Sequence, residues 1–323
     1  MTDTLALKAL LERSSMRPGR KEELHLLVEL EAIGAPVDAA RPALSVVFVL
    51  DASGSMNGKP LTNVIESVEM LVDLLSPDDK VGVVSFSDDA AEVCALSSLT
   101  PEAKRAIKRR TAGIRALAST NIEAGLRCAE HMLGARTPNE RQVILLLSDG
   151  APNLGAASAA ALEAVVQPMR ANASVSTLGY GASHNADVLH AISVAGGGQY
   201  WFVPDPQQAS VEFARALGAQ GDIVADNVEL VLSPADHAEV KDVLGQKVRF
   251  GKTGPVAALP DLREKQKRRV VASLVIDAPI EPGPLAVVDA LVRYHAAGNA
   301  EVRELRVPVK IAVIDREPQV VVE

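Results

Sequence analysis

Between residue 44 and about residue 218 the chain alternates short apolar runs with longer stretches of helical spacing. Leu44-Ser45-Val46-Val47-Phe48-Val49-Leu50 is almost continuously apolar and β-branched, the pattern of a strand buried on both faces. Leu61, Val64, Ile65, Val68, Leu71, Val72 and Leu75 recur at helical spacing, and Ser76-Pro77-Asp78-Asp79 ends that helix. Residues 81–86 read as the next strand, and 92–96 follow closely enough to pair with it as an antiparallel edge. Helical patterns over about 101–116 and 121–135 precede Val143-Ile144-Leu145-Leu146-Leu147-Ser148, the most apolar strand of the chain. A helix near 156–171, a strand over 174–180, a helix near 185–195, a strand over 199–203 and a last helix over about 206–218 complete the series. This alternation predicts a doubly wound α/β fold: a mainly parallel six-stranded sheet with helices on both faces.

The flanks read differently. Leu and Glu dominate residues 5–13 and 22–33, and their spacing does not decide between helix and strand; Met16-Arg17-Pro18-Gly19-Arg20-Lys21 between them reads as a tight turn. After residue 222, short extended runs over 227–232, 269–276, 286–294 and 302–313 are separated by Pro and Gly clusters such as Glu281-Pro282-Gly283-Pro284, which predicts a β-sandwich. The expected division is therefore 1–43, 44–218 and 222–323.

Composition narrows the classes. A chain of 323 residues suggests about two domains. With 48% hydrophobic and 23% charged residues it can bury an ordinary core, and with 3% aromatic residues that core rests on Val, Leu, Ile and Ala. The scarcity of aromatic rings also argues against stacking on nucleobases or sugars as the main binding mode. A net charge of −8 gives no general attraction to nucleic acid or anionic membrane. Lys104, Arg105, Lys108, Arg109 and Arg110 read as a solvated helix face. Cys94 and Cys128, one on a strand and one on a helix, do not make a disulfide framework and fit a reducing compartment. No leader pattern and no apolar run of about 18 residues stands out, so the expectation is a cytoplasmic protein without membrane insertion.

The sharpest chemical signal follows the first buried strand: Asp51-Ala52-Ser53-Gly54-Ser55. A strand, a small-residue loop and a helix put these side chains at the carboxyl edge of the sheet, where open α/β sheets bind ligands. One carboxylate and two hydroxyls at alternate positions make an all-oxygen cluster suited to a hard cation such as Mg²⁺. Gly54 is expected to let the loop turn so that both serines face one point. Leu147-Ser148-Asp149-Gly150 brings Asp149 to the same edge, and Ala118-Ser119-Thr120-Asn121 offers the Thr120 hydroxyl. Taken singly, Ser53, Ser55 and Thr120 read as helix caps and Asp149 as a turn residue. All three segments in order, each at one predicted rim, favour a metal site.

This combination resembles the metal-ion-dependent adhesion site of von Willebrand factor type A domains, over about residues 43–218. The resemblance implies a Rossmann-like fold and Mg²⁺ (with Mn²⁺ or Ca²⁺ as alternatives) held by Asp51, Ser53, Ser55, Thr120 and Asp149, some of them through water. It implies a partner protein that supplies a Glu or Asp to the metal, with Met56, Asn57, Ser119, Asn121 and Asn153 on the contact rim. The flanks are similar to those of bacterial members, and of inter-alpha-trypsin-inhibitor heavy chains, in which segments on both sides of the domain join in a β-sandwich. That favours strands for 5–13 and 24–33. The last helix is expected to shift when the partner binds. Two rivals stand beside this non-catalytic reading. A Mg²⁺-dependent phosphoryl-transfer enzyme of the haloacid dehalogenase type needs a second Asp where Ser53 stands. A scaffold whose metal only fastens the fold has no use for an open coordination position. No phosphate-cradling glycine motif, no catalytic arrangement of the six histidines and no zinc-ligand spacing is present.

Overall fold

The computed structural model describes residues 4–34, 43–137, 140–180, 184–203, 223–296 and 301–315; the helix expected over 206–218 falls outside them. In the first flank lie β1 (Leu5–Leu11), β2 (Ser15–Met16) and β3 (Lys21–Ala32). Next come β4 (Ala43–Asp51), α1 (Lys59–Leu74), β5 (Lys80–Phe86), β6 (Ala90–Ser98), α2 (Pro101–Thr111), α3 (Ile122–Leu133), β7 (Glu140–Ser148), α4 (Ala159–Val166), β8 (Ala173–Tyr180), α5 (Ala186–Ala195) and β9 (Gly197–Val203). The second flank holds β10 (Ile223–Pro234), β11 (Ala238–Val243), β12 (Val248–Phe250), β13 (Pro255–Leu259), β14 (Leu262–Arg263), β15 (Lys267–Asp277), β16 (Gly283–Ala296) and β17 (Val302–Val313). Two compact units result: one takes the middle of the chain, 40–223, and the other gathers both flanks.

In the middle unit six strands lie in the order β6-β5-β4-β7-β8-β9, and only the β5–β6 pair is antiparallel. The central strands need apolar side chains in both directions. Val46, Phe48, Leu50, Val143, Leu145 and Leu147 pack beneath Val64, Val68 and Leu71 of α1 and Ile107 of α2. Val47, Val49, Ile144 and Leu146 pack beneath Leu126 of α3, Leu162 of α4 and Leu189 of α5. This two-sided burial is why β4 and β7 read as unbroken apolar runs. The helix expected over 156–171 is α4 followed by a 3₁₀ turn over Gln167–Ala171, since Pro168 offers no N–H and clashes with an α-helical turn before it. Part of the basic run on α2 is committed within the fold: the Lys104 ammonium donates to the carbonyls of Asp73 and Leu75 at the end of α1, and Lys108 pairs with Asp73.

The flank unit consists of two antiparallel sheets over one core. One has the order β1-β3-β15-β11; the other runs β12-β13-β10-β16-β17-β2, with β14 on β10 and β2 lying parallel to β17. Leu24, Leu26, Val28 and Leu30 of β3 share the interior with Leu230, Val292, Tyr294 and Ile311 from the other sheet. Both leucine-rich N-terminal segments are therefore strands. Among the described residues no helix is long and apolar enough to cross a membrane.

β3 pairs with β15 along its length, from Lys21 opposite Asp277 to Glu31 opposite Lys267. Removal of residues 1–43 strips β1 and β3, uncovers the β15 edge and opens the core that β3 lines. The truncated chain should aggregate or lose its cooperative thermal transition; a monomeric species by light scattering with an unchanged melting curve would contradict this.

Candidate functional site

Strand register assembles the site. Leu50 of β4 lies beside Leu147 of β7, so the next residues, Asp51 and Ser148, meet at the carboxyl edge. The Ser148 hydroxyl donates to Asp51 Oδ2 at 2.5 Å, and the Ser53 main-chain N–H donates to Asp51 Oδ1 at 2.8 Å. Asp51 has no solvent exposure. Burial pushes its carboxyl up to about 6 despite the hydrogen bonds from Ser148 and Ser53, and the neighbouring Asp149 charge adds to the rise. Among the described residues no Lys, Arg or His pairs with Asp51 or Asp149.

Each simpler role for the loop residues meets a definite outcome. Ser53 precedes a 3₁₀ turn over Gly54–Met56 but its side chain makes no cap bond; its hydroxyl stands 3.1 Å from that of Ser55. α1 begins after Gly58, so neither serine caps it. Asn121, not Thr120, caps α3, its side-chain oxygen accepting from the Ala124 N–H at 3.1 Å. The Thr120 side chain is buried, and among the described residues its hydroxyl has no hydrogen-bond partner. Asp149 does act in a turn: its carboxylate accepts a long bond, 3.4 Å, from the Ala151 N–H, and its carbonyl accepts from the Asn185 N–H at 2.7 Å. Gly150 after it takes φ +67°, and a Cβ there would stand 2.8 Å from Leu189 Cγ. Gly54 works otherwise than its place in a turn suggests. Its φ is not positive, but a Cβ would approach the carbonyls of Leu117 and Ala118 at 3.2 and 3.3 Å, so its smallness lets the threonine loop lie close.

The threonine loop is fastened from both sides. The Leu117 N–H donates to the Ala52 carbonyl at 2.7 Å, and the Gly54 N–H to that of Ala118 at 3.4 Å. Asp88, in the β5–β6 turn, accepts from the Ser119 N–H through its carboxylate and from the Asn121 side chain through its carbonyl, at 3.1 and 3.0 Å. Asn153 accepts from the Thr120 N–H through its side chain at 2.9 Å, while its own N–H and that of Leu154 donate to the Thr120 carbonyl.

One rim assignment is corrected. Met56 is fully buried among the side chains that pack the α1 face of the sheet and offers nothing to a partner. The 3₁₀ turn that leaves Ser55 outside carries the next side chain inward. Asn57 and Asn153 are exposed, Ser119 and Asn121 half-buried. Four further residues stand around the rim: Ser148, which the segment Leu147–Gly150 already contains; Leu154 (43% exposed), in the loop 151–155 expected at the rim; and Asp88 and the exposed Leu117 (63%), which nothing local marks.

The donor set fits a hard divalent cation. It is all oxygen, contains a buried carboxylate with no cationic neighbour, and holds a hydroxyl, Thr120, with no hydrogen-bond partner among the described residues. Among those residues no three His, Cys, Asp or Glu side chains come together, so any such ion depends on the serine and threonine hydroxyls.

The family model for the von Willebrand factor type A domain matches residues 45–215. An uncharacterized protein from Synechocystis is 25% identical over 283 residues, covering 84% of this chain and 66% of that protein. Human inter-alpha-trypsin inhibitor heavy chain H4 is 31% identical over 174 residues, 51% of this chain and 18% of its own length. The chain thus spans less than two thirds of either relative. A solved von Willebrand factor type A protein from Catenulispora acidiphila superposes with a TM-score of 0.75 at 16% identity, covering 96% of this chain and 74% of that one, which establishes the shared fold.

Two outcomes follow from the geometry. In EDTA the unfolded chain ionises Asp51 near pH 4, whereas the folded chain does so near 6. The contribution of Asp51 to stability therefore falls by roughly 3 kcal/mol as pH rises from about 4 to about 6, and it stays lost above that. Denaturant melts at pH 4 and pH 7 should show Asp51→Asn gaining on the wild type by that amount; an equal gap at both pH values would contradict it. Secondly, Asn153→Ala frees the Thr120 main chain and should weaken Mn²⁺ binding several-fold while leaving the melting temperature within a few degrees. Asn153→Asp, which keeps the acceptor, should recover most of the affinity by calorimetry.

Proposed function

The chain belongs to the von Willebrand factor type A domain family, and we propose that its carboxyl-edge site is a metal-dependent docking point for an acidic side chain of another protein. Asp51, Ser53, Ser55, Thr120 and Asp149 would hold the ion, Mg²⁺ or Mn²⁺. The observation that carries the reading is the buried Asp51 carboxylate, disfavoured as an anion and lacking any cationic neighbour among the described residues. A bound divalent ion would supply the missing charge and, with few carboxylates around it, a position open to a further anionic oxygen. Only two of the five side chains are carboxylates, so the donor set leaves the charge incompletely balanced, and a partner Glu or Asp is its natural complement.

The protein's own groups orient the contact. Asp88 and Asn153 fix the threonine loop, and Ser148 fixes Asp51. Leu117 and Leu154, exposed on the two segments that bracket Thr120, would give the partner apolar surface, and Asn57 and Ser119 would add polar contacts at the margin. Partial desolvation of the acidic group at such an edge strengthens its electrostatic attraction. The reading is of a binding module without catalysis: Ser53 occupies the position where a phosphoryl-transfer site of this layout needs its second Asp.

Calorimetry with Mn²⁺ tests the ion. Wild-type protein should bind one equivalent, Asp51→Ala should bind at least tenfold more weakly, and the ligand-linked rise in melting temperature should disappear in the variant. Equal binding by both proteins would refute the site. With a partner in hand, binding should be lost in EDTA and on neutralising one particular partner carboxylate, and Leu117→Ala should weaken it without changing Mn²⁺ affinity. Full binding in EDTA would place the contact elsewhere.

A further inference from the structure

The outer face of the four-stranded sheet carries a pattern unrelated to the metal edge. Register puts Leu10 of β1 opposite Leu27 of β3, and Leu27 opposite Val271 of β15. The Leu244 N–H, just past β11, bonds to the Val271 carbonyl, which continues the row. All four side chains point away from the core, whose members on these strands are their neighbours Leu11, Leu26, Val28, Val243, Val270 and Ala272. Leu10 is 44% exposed and Leu244 47%, with Leu27 and Val271 half-buried between them. An apolar stripe thus crosses the whole sheet.

The rows on either side of the stripe differ in charge. On one side lie Lys8, Glu29 and Arg269, a net positive row tied by the Arg269–Glu29 bond at 2.7 Å. On the other lie Glu12, His25, Ser273 and Asp242, a net negative row tied by the His25–Glu12 bond at 3.0 Å.

From this asymmetry we infer that the face docks on the same face of a second copy, about a two-fold axis running along the apolar stripe. Such an axis lays stripe on stripe and exchanges the two bordering rows, so that on β1, β3 and β15 no like charges meet between those rows, with Arg269 facing Ser273. Lys8 meets Glu12 of the other copy, Glu29 meets His25, and each of the four apolar residues meets itself. The outermost rows place Glu31 toward Glu23, but two packed sheets cross at about 30°, which separates side chains far from the axis. Four strands about 4.8 Å apart and the three central rows about 6.8 Å apart span about 390 Å² on each copy. The total, about 800 Å², is the size of a weak, reversible association.

Sedimentation equilibrium of the full chain, from about 1 to 500 μM in EDTA, tests this. The wild type should show a reversible monomer–dimer equilibrium. Leu27→Glu, on the surface of the sheet, should weaken dimerisation at least tenfold with a normal melting curve. Lys8→Glu alone should weaken it, and Lys8→Glu combined with Glu12→Lys should restore it, because the swap re-creates the pairing across the axis. A monomer at all concentrations overturns the inference. So does a dimer indifferent to Leu27→Glu, a failure of the double swap to restore what the single change removed, or a dimer that forms only with Mg²⁺.

Discussion

A carboxylate at the end of a strand that is apolar on both sides constrains everything around it. β4 must be buried to serve as the centre of the sheet, and Asp51 closes it without any solvent exposure. An ionised group there forfeits its water, and two hydrogen bonds return only part of the loss. Both bonds depend on the sheet. The parallel register of β4 and β7 brings Ser148 to Asp51 Oδ2, and the loop after Asp51 folds back so that the Ser53 N–H reaches Oδ1. The same loop donates from the Ala52 N–H to the Phe86 carbonyl and accepts at the Ala52 carbonyl from Leu117. One unfavourable charge thus rests on three strand ends.

The polar groups of the rim divide into two sets by the work they do. Asp88, Asn121, Asn153 and Ser148 spend their hydrogen bonds within the protein, holding loops or Asp51. Ser53 and Ser55 are tied only to each other and, for Ser53, to Asp51, and the Thr120 main chain is clamped at both its N–H and its carbonyl while its hydroxyl is left over. A ligand arriving at such a rim meets loops already ordered, so little conformational entropy remains to be lost on binding.

How much of this was legible in the sequence depends on how each segment is buried. β4 and β7 announced themselves because burial on both faces demands unbroken apolar runs. The three motif segments were visible because strand, loop and helix follow one another with the polar residues at the junctions. Met56 was misread as surface because the residue next to a rim serine turns into the core through a 3₁₀ turn, a geometry that no periodicity foretells. Asp88 and Asn153 escaped a functional reading as clamps because their partners are 31 and 33 residues distant. β11, β12, β13 and β14 are short, and β11 is largely charged, so neither length nor alternation marked them.

The N-terminal flank resisted assignment for a reason that bears on its surface. β3 alternates strictly on its inner side, Leu24, Leu26, Val28, Leu30 and Ala32, and its outer side should then be polar. His25, Glu29 and Glu31 comply, but Leu27 does not, and with it the apolar positions acquire a helical spacing. β1 behaves likewise: Leu5, Leu7, Ala9 and Leu11 face inward, and Leu10 breaks the polar side. A leucine on the solvent face packs against its cross-strand neighbours, but a polar residue there would fix the register better. The two residues that blur the pattern are opposite each other in the sheet, and Val271 and Leu244 extend them across it. Four departures from alternation on four separate segments, falling in one row, are not accounted for by the packing of any one strand. Cross-strand packing accounts for the half-buried Leu27 and Val271, and the cover inferred for the face would account for the exposed ends of the row at Leu10 and Leu244.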